Sequence, residues 1–258
     1  MQETTRQLSL INSVELPVSK RSSDVSILKG DCNRLIREVK NNSINLLVSD
    51  PPYEINFEKQ GWDKPNTLNW HFLAREFKRV LKPDGCLLIF QGWSRVCETK
   101  LVLDEYFTLK NWIIYDRVKG RGTKTNLVST REDILWYLLD KNHYTYNKIN
   151  STIKKKTGGS IGKRNGNEYR AMSNVWTDIP PIVPWSKERV QHPTQKPLAI
   201  IERILTIFSR ENDMVLDPFS GSGTSAVAAR KLNRNFIGFE KDKNYYDISK
   251  ERLKEDDC

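Results

Sequence analysis

The sequence contains no run of about 18 apolar residues, the length that a helix needs to cross a bilayer. Its start, MQETTRQLSL, lacks the basic and then apolar layout of a secretory signal peptide, so we expect a cytoplasmic protein without a membrane anchor. Cysteine and histidine are scarce, with four and three copies in 258 residues. The cysteines show no CxxC spacing, which argues against a zinc site or a disulfide framework. We therefore expect reduced thiols and no metal at Cys32, Cys86, Cys97 and Cys258.

Positive charge is abundant but unevenly distributed. The formal net charge is +10, and residues 117–170 hold 13 lysines and arginines against 4 acids, which is +9 of that excess. Within this region, STIKKKTGGSIGKRNGNEYR (151–170) is poor in apolar residues, as in a loop. A solvated linker would have this composition, and so would a surface that binds phosphates.

Short apolar runs alternate with amphipathic stretches at both ends of the chain. The runs predict buried strands at residues 25–28, 44–49, 86–90, 112–115, 134–139, 214–217 and 236–239. Apolar stripes predict helices at residues 70–81, ended by KPDG, and at 198–208, 224–232 and 245–253. This alternation favours a doubly wound α/β fold with a mainly parallel sheet. We expect a main domain of residues 25–116 and 172–258, a basic inserted lobe at 117–171 and an N-terminal extension at 1–24.

A glycine-rich turn near the C-terminus indicates a nucleotide-derived cofactor. In MVLDPFSGSGTSAVAARKL, Gly221, Gly223 and Ala226 fit the G-x-G-x-x-G/A pattern of dinucleotide sites, and Glu240 follows at the end of the next strand. A tight strand-to-helix turn without a ligand is the alternative. Asp217 at the mouth of the turn would repel a pyrophosphate, but it suits a cationic ligand such as S-adenosylmethionine.

Three motifs carry a resemblance to a known family. DPPY (50–53), HPTQKP (192–197) and DPFSGSGT (217–224) resemble the signature motifs of the amino-methyltransferases of DNA, and their order resembles the beta group. The match extends from about Val25 to Leu253. It implies a Rossmann-like methyltransferase fold, S-adenosylmethionine as cofactor, S-adenosylhomocysteine as product, no metal, and a flipped base in double-stranded DNA as substrate.

The DPPY motif contains the residue types that this reaction needs. An exocyclic amine is a poor nucleophile, because its lone pair is delocalised into the ring. The Asp50 carboxylate and the Pro51 carbonyl can each accept one N–H bond and so orient that lone pair. Pro51 and Pro52 fix φ and remove competing N–H donors, and Tyr53 offers a ring on which a flipped base can stack. A simple loop-initiating role for the motif is the alternative.

The resemblance also implies the cofactor contacts. Asp31 would bind the cofactor's adenine amine, although it could equally cap a helix. Lys196 would pair with the cofactor's carboxylate. Ser222 and Thr224 would donate to that carboxylate or cap the following helix, and His192 would bind without a catalytic role. The complete predicted set is Asp31, Cys32, Asp50, His192, Thr194, Lys196, Asp217, Pro218, Phe219, Ser220, Gly221, Ser222, Gly223, Thr224 and Glu240.

DNA contacts are expected from the basic region. Where the family often has Trp and Lys near the flipped base, this chain has Tyr115 and Arg117, which keep an aromatic ring and a cation. Phosphate contacts would position the duplex, while contacts to base edges would read its sequence. The predicted DNA-binding residues are Arg117, Lys119, Arg121, Lys124, Lys154, Lys155, Lys156, Lys163 and Arg164.

The expected reaction is N6 methylation of adenine at a specific DNA site. Family members with Asp at the first motif position mostly act on adenine, and those with Ser more often on cytosine, so cytosine-N4 methylation is the main alternative. An RNA or protein methyltransferase, a nicotinamide-dependent oxidoreductase and a non-catalytic DNA-binding subunit are further alternatives. A cognate restriction endonuclease and a homodimer are possible partners.

Overall fold

The computed structural model of the protein describes residues 23–55, 63, 67–154 and 169–255. Its strands are β1 (Val25–Lys29), β2 (Ile44–Ser49), β3 (Leu81–Gln91), β4 (Thr108–Thr123), β5 (Asn126–Leu138), β6 (Asn150–Lys154), β7 (Tyr169–Ala171), β8 (Val175–Trp176), β9 (Met214–Asp217) and β10 (Asn235–Glu240). Its helices are α1 (Cys32–Leu35), α2 (Trp70–Val80), α3 (Val96–Asp104), α4 (Leu198–Phe208), α5 (Thr224–Lys231) and α6 (Lys243–Glu255), with a 3₁₀ turn at Ile36–Glu38.

Eight of these strands form one sheet in the order β1-β10-β9-β2-β3-β5-β4-β8. The five strands from β1 to β3 are mutually parallel, β5 is antiparallel to both β3 and β4, and β8 is parallel to β4. The predicted mainly parallel sheet is confirmed. The antiparallel strand β5 is the departure from a purely parallel arrangement.

Helices cover both faces of the sheet, as a doubly wound fold requires. On one face, apolar side chains of α4, α5 and α6 form a single buried cluster with Leu46, Val48 and Leu88 of the central strands. On the opposite face, α1, α2 and α3 pack with the alternating neighbours Leu47 and Leu87. Strands that are buried on both faces have continuous apolar sequences, so the apolar runs predicted their positions.

The expected separate lobe at residues 117–171 is wrong in its first part. Strand β5 pairs with β3 over six residues from Cys86–Leu138 to Gln91–Asp133, and residues 134–138 are all buried. The long hairpin of β4 and β5 therefore belongs to the main sheet. Beyond it, β6 and β7 form a small separate sheet on either side of residues 155–168, which lie outside the described residues.

The KPDG segment (82–85) follows the end of α2, as predicted, but it already lies within the next strand, β3. The helix stops at Val80, and Leu81 already pairs with Ile44 of β2. The register then shifts before Leu46 pairs with Cys86, so the residues between form a bulge. The strand predicted from residue 86 consequently begins five residues earlier, at Leu81.

Some sequence predictions concern residues without a described structure. The N-terminal extension is described only from residue 23, and Cys258 also lies outside the described residues. Of the other cysteines, Cys32 and Cys86 are buried thiols and Cys97 is exposed. Across the described ranges, no helix is long and apolar enough to span a bilayer. The same residues contain no cluster of three His, Cys, Asp or Glu side chains suited to a metal ion.

The topology brings distant segments to one edge of the sheet. Parallel strands β1, β2, β9 and β10 all end there, and a ligand site is expected where such strand ends diverge. Because β5 is antiparallel, its residues Arg131 and Glu132 lie at the same edge, opposite Asp116 and Tyr115 of β4. One edge therefore collects DPPY, the glycine-rich turn and the middle of the hairpin.

Candidate active site

A large cavity opens at this edge of the sheet. Its volume is about 1190 Å³, whereas small-molecule sites typically measure ~300–1,000 Å³, so two ligand groups can lie side by side. Every residue predicted for catalysis or cofactor binding lines the cavity except Gly223. Among the described residues predicted to contact DNA, Arg117 lines it.

Asp50 follows the last residue of β2, and both of its carboxylate oxygens are engaged. The Tyr53 hydroxyl donates to Oδ1 at 2.9 Å. The Lys196 ammonium donates to Oδ2 at 2.6 Å. The two prolines between Asp50 and Tyr53 end the strand as predicted, since the chain leaves the sheet after Ser49. Tyr53 thus contributes a hydroxyl bond that the sequence did not indicate.

Lys196 is buried, and its ammonium contacts two carboxylates of the protein; its predicted pairing with the cofactor carboxylate stays a prediction. Its Nζ atom lies 2.6 Å from Asp50 and 3.3 Å from Oε2 of Glu132. The same atom lies 5.5 Å and 5.3 Å from the ring centres of Tyr53 and Phe90, within cation–π range. Burial disfavours the ammonium, but the two carboxylates outweigh it and raise the pKa of Lys196 above its usual value.

Glu132 extends this network toward the basic hairpin. Its Oε1 atom lies 3.4 Å from Nη1 of Arg117, and Nη2 of Arg117 donates to the Ser129 carbonyl at 3.0 Å. Positive and negative groups therefore alternate from Arg117 through Glu132 and Lys196 to Asp50. Glu132 was not predicted from the sequence. An acid at the start of a buried strand, in REDILWYLL, was the available signal.

The glycine-rich turn adopts backbone conformations that favour glycine. Gly221 and Gly223 have φ values of +52° and +79°, in the left-handed region that other residues seldom occupy. A Cβ atom on Gly223 would lie 2.8 Å from Cβ of Ser249 in α6, and one on Gly221 would lie 3.1 Å from Nε2 of His192. Gly223 therefore serves the packing of the turn on α6, while Gly221 allows close approach at the cavity wall.

Asp217 is almost fully buried beneath the turn. It accepts hydrogen bonds from the Ser225 hydroxyl at 2.7 Å and from the Phe219 amide at 3.1 Å. Burial, aided by the nearby charges of Asp50 and Glu240, still raises its pKa to about 7. A carboxylate in this position gains from a cationic ligand, which would stabilise its charged form.

Glu240 ends β10 next to the turn. Its oxygens accept the amides of Gly221 at 2.8 Å and Asp242 at 2.7 Å. Burial nevertheless raises the pKa of Glu240. The two amides fix the side chain. Because each carboxylate oxygen has a second lone pair, Glu240 can still accept a hydrogen bond from a ribose hydroxyl.

Asp31 occupies the cavity wall after β1 and caps α1, accepting the Asn33 amide at 2.9 Å. It also pairs with Lys241 at 2.9 Å. Partial burial opposes ionisation, but Lys241 and the Asn33 amide together lower the pKa of Asp31. Its neighbour Cys32 is buried, and burial raises the pKa of that thiol to about 12. Cys32 is therefore a lining residue and an inert thiol at neutral pH.

Comparison with known proteins identifies the family. The family model described as DNA methylase, N6_N4_Mtase, matches residues 44–251, most of the chain. The protein belongs to this family. The type II methyltransferase M.HpaI of Haemophilus parainfluenzae is 34% identical over 86% of this chain and 73% of its own length. The DNA adenine methyltransferase YhdJ of Escherichia coli K12 is 32% identical over 88% of this chain and 82% of its own length.

Solved structures of other methyltransferases share the fold. The complex of M1.HpyAVI with S-adenosylmethionine superposes with a TM-score of 0.64 at 29% identity, covering 88% of this chain and 99% of that one. The cytosine-N4-specific PvuII methyltransferase has a TM-score of 0.67 at 19% identity, covering 90% and 87%; it shows the common fold alone. The family, the Rossmann-like fold and the S-adenosylmethionine cofactor predicted from the motifs are confirmed.

The cavity of this methyltransferase fits S-adenosylmethionine. Buried Asp217 and the half-buried Glu240 make the wall of the turn electronegative, which suits the ammonium and sulfonium groups of that cofactor. The Ser220 hydroxyl is buried at the same wall and has no hydrogen-bond partner among the described residues. A cofactor hydroxyl or amine would satisfy it.

Two further residues complete the cofactor side. Arg252 of α6 donates to the Ser222 carbonyl at 2.8 Å, the Ser222 hydroxyl at 3.2 Å and the Thr224 hydroxyl at 3.1 Å. These hydroxyls were predicted to meet the cofactor's carboxylate, and Arg252, which the sequence did not reveal, brings a cation beside them. His192 packs against Tyr245 at 4.3 Å between ring centres. Burial, with Lys196 and Arg252 nearby, lowers the pKa of His192 to about 4, so its ring is neutral.

The residues predicted to bind DNA are only partly described. Arg117 lies in the cavity wall, and Lys124 is exposed at the tip of the hairpin. Lys119, Arg121 and Lys154 lie in β4 and β6, where only their backbone is described. The remaining predicted contacts lie outside the described residues, namely Lys155, Lys156, Lys163 and Arg164.

Proposed function

We propose that this DNA methyltransferase modifies the N6 amine of an adenine that is flipped out of double-stranded DNA at a specific site. One observation carries the proposal: Asp50, at the end of β2, stands in the same cavity as the glycine-rich cofactor turn. A base held in a duplex cannot reach a carboxylate inside such a cavity, so the target nucleotide must leave the stack.

Asp50 and the Pro51 carbonyl are the proposed acceptors for the two hydrogens of the target amine. Both belong to a rigid loop, so they orient the nitrogen without a large entropic cost at the moment of reaction. S-adenosylmethionine supplies an electrophilic methyl group on sulfur. The amine's lone pair would form the new N–C bond, the C–S electron pair would stay on the product S-adenosylhomocysteine, and the methylated nitrogen would pass its extra proton to Asp50 or to water.

Tyr53 is the proposed platform for the flipped base. A Cβ atom on Gly92 would lie 3.0 Å from Cδ2 of the Tyr53 ring, so the ring packs closely against the backbone after β3. Its hydroxyl is anchored on Asp50. Burial and the negative charges of Asp50 and Glu132 raise the pKa of Tyr53 well above its usual value, so it stays a neutral donor. A ring held at both ends offers a fixed stacking surface.

Adenine is favoured over cytosine by the first residue of the motif and by the relatives. The chain has Asp50 where the resemblance associates adenine with Asp and cytosine with Ser. YhdJ, whose name specifies adenine, is 32% identical, whereas the cytosine-N4 enzyme PvuII is 19% identical and supports only the fold. Because M.HpaI is a type II methyltransferase, we also propose a cognate restriction endonuclease as companion. A homodimer and a cytoplasmic location, where the enzyme would reach DNA, remain part of the proposal.

Mass spectrometry of nucleosides tests the proposal. The purified enzyme is incubated with S-adenosylmethionine carrying an isotopic methyl group and with duplex DNA, RNA or a protein mixture. We expect labelled N6-methyldeoxyadenosine from duplex DNA. Labelled N4-methyldeoxycytidine would show that the target is cytosine rather than adenine. Label in RNA or protein alone would show that DNA is not the substrate.

A further inference from the structure

The acceptor that the target amine needs is already occupied in the structure. Asp50 accepts from the Tyr53 hydroxyl at Oδ1 and from the Lys196 ammonium at Oδ2. A charge-assisted bond of 2.6 Å is a strong one. Each oxygen retains a second lone pair, but an amine that approaches Oδ2 must share it with a bound ammonium, and the approach is easier once that ammonium has moved away.

We propose that Glu132 is a positioning residue, which takes over the Lys196 ammonium when the target amine arrives and so releases Oδ2 of Asp50. This inference rests on the proposed function, because it concerns how the catalytic carboxylate becomes available. Lys196 would alternate between two carboxylates, bound to Asp50 in the empty enzyme and to Glu132 in the complex with DNA.

The geometry provides a short path for this exchange. Nζ of Lys196 lies 2.6 Å from Asp50 and 3.3 Å from Glu132, so a small rotation about the end of the side chain closes the second distance and opens the first. Among the described residues, these are the two carboxylates within ion-pair range of the ammonium. Because Lys196 is buried, losing Asp50 without gaining Glu132 would leave a buried cation unpaired, which is costly.

Glu132 is prepared to receive the ammonium. Its Oε2 atom is buried and, despite the nearby ammonium, makes no hydrogen bond of normal geometry. Its Oε1 atom faces Nη1 of Arg117 at 3.4 Å, which orients the carboxylate. Glu132 of β5 pairs with Tyr115 of β4, which fixes the backbone of Glu132 in the sheet. This oxygen already lies 3.3 Å from the Lys196 ammonium, so a small movement of the donor would complete a normal hydrogen bond.

Electrostatics also favour the exchange during the reaction. Positive charge develops on the amine nitrogen as the methyl group is transferred, and an ammonium on Asp50 would repel it. With Lys196 on Glu132, Asp50 is free to stabilise the nitrogen. No proton needs to move between side chains, because each group keeps its charge.

The substitution Glu132→Gln tests the inference, since it keeps the shape and removes the charge. We expect the single-turnover rate of methylation to fall by about tenfold to a hundredfold, as for loss of a charged hydrogen bond, with unchanged affinity for S-adenosylmethionine. Base extrusion is followed with 2-aminopurine in place of the target adenine. This base lacks the 6-amine, so its fluorescence change should be unaffected.

Asp133→Asn is the matched control. Asp133 is the next residue of β5 and is fully buried, but it accepts from Trp112 at 2.8 Å on the other side of the strand. This variant should lower the melting temperature and leave the single-turnover rate unchanged. Glu132→Asp keeps the charge on a shorter side chain and should have a rate between those of wild type and Glu132→Gln. If Glu132→Gln fails to fold, Glu132→Asp is used in its place, and a wild-type rate in this variant would then contradict the inference.

A double-mutant cycle with Lys196→Met isolates the pair. If Glu132 acts through Lys196, Glu132→Gln should have no further effect on the rate once Lys196 is methionine. Wild-type rate in a folded Glu132→Gln variant, or an equal loss of the 2-aminopurine signal, would overturn the inference. Absence of N6-methyladenine from the wild-type reaction would instead overturn the proposed function, so the two failures are distinguishable.

Discussion

Lys196 and Asp50, which are 146 residues apart in the chain, form a partly buried ion pair of 2.6 Å at the edge of the sheet. The pair joins two motifs, HPTQKP and DPPY, that the sequence displays separately. The ammonium of Lys196 therefore contacts the proposed catalytic carboxylate before any substrate is bound.

Replacing Asp50 separates catalysis from cofactor binding. Asp50→Ala removes one of two proposed acceptors of the target amine, and we expect the single-turnover rate to fall by about 10²–10³ or more, as for loss of a preorganised group in other enzymes. Binding of S-adenosylmethionine, measured by calorimetry, should be retained. An active Asp50→Ala enzyme would exclude the proposed role of this carboxylate.

Cofactor affinity should depend on pH through Asp217. Its pKa of about 7 in the free enzyme is raised mainly by burial, and a cationic ligand favours the charged form. Below this pH the ligand must expel a proton, so affinity should weaken by about tenfold for each pH unit below 7. Calorimetry from pH 8 to pH 5.5 measures the trend. Asp217→Asn should bind more weakly and without this dependence; a flat profile in wild type would contradict the assignment.

The two glycines of the turn should differ in their effects. Gly223→Ala places a methyl group 2.8 Å from Cβ of Ser249 and forces alanine to φ +79°, so we expect a loss of about 1–3 kcal/mol in the free energy of unfolding. Gly221→Ala also forces alanine to a positive φ, +52°, but its methyl group meets only the His192 side chain at 3.1 Å, so we expect a smaller loss of stability together with weaker cofactor binding. Urea unfolding and calorimetry measure the two effects, and equal losses of stability would refute the distinction.

The basic region should contribute to DNA affinity by neutralising phosphates. Joint replacement of Lys154, Lys155 and Lys156 by alanine should weaken binding and reduce the slope of log K against log salt by about 0.9 for each phosphate that is no longer neutralised. The charge-matched control replaces exposed lysines that do not line the cavity, namely Lys40, Lys78 and Lys110. Fluorescence anisotropy at several salt concentrations provides both slopes. Equal slopes for the two triple variants would make this region a linker.

Much of the fold follows from local patterns. Strands such as β2 and β9 are continuous apolar runs, and the stripe of α2 predicts that helix to within one residue at its end. The extension of β4 and β5 into a long hairpin is not visible, because residues 117–131 contain no continuous apolar run and residues 124–128 at its tip are exposed. Helix α3 was also missed, since its sequence VCETKLVLD has no clear apolar stripe.

Site residues that belong to a short sequence motif could be predicted. Site residues that reach the cavity only through strand pairing or helix packing could not. DPPY and the glycine-rich turn indicated Asp50 and Asp217 directly. Glu132 and Arg252 reach the site through strand pairing and helix packing, across separations that no local pattern encodes. Lys196 was found, but its partner was not, because the ion pair exists only once the two motifs meet at the sheet edge.

The most direct test of the account is a crystal structure of the enzyme with duplex DNA and a non-reactive analogue of S-adenosylmethionine. We predict a flipped adenine whose N6 atom lies roughly 2.7–3.1 Å from Oδ2 of Asp50, with the Lys196 ammonium on Glu132. An Asp50 that remains paired with Lys196 while the base binds elsewhere would contradict the account.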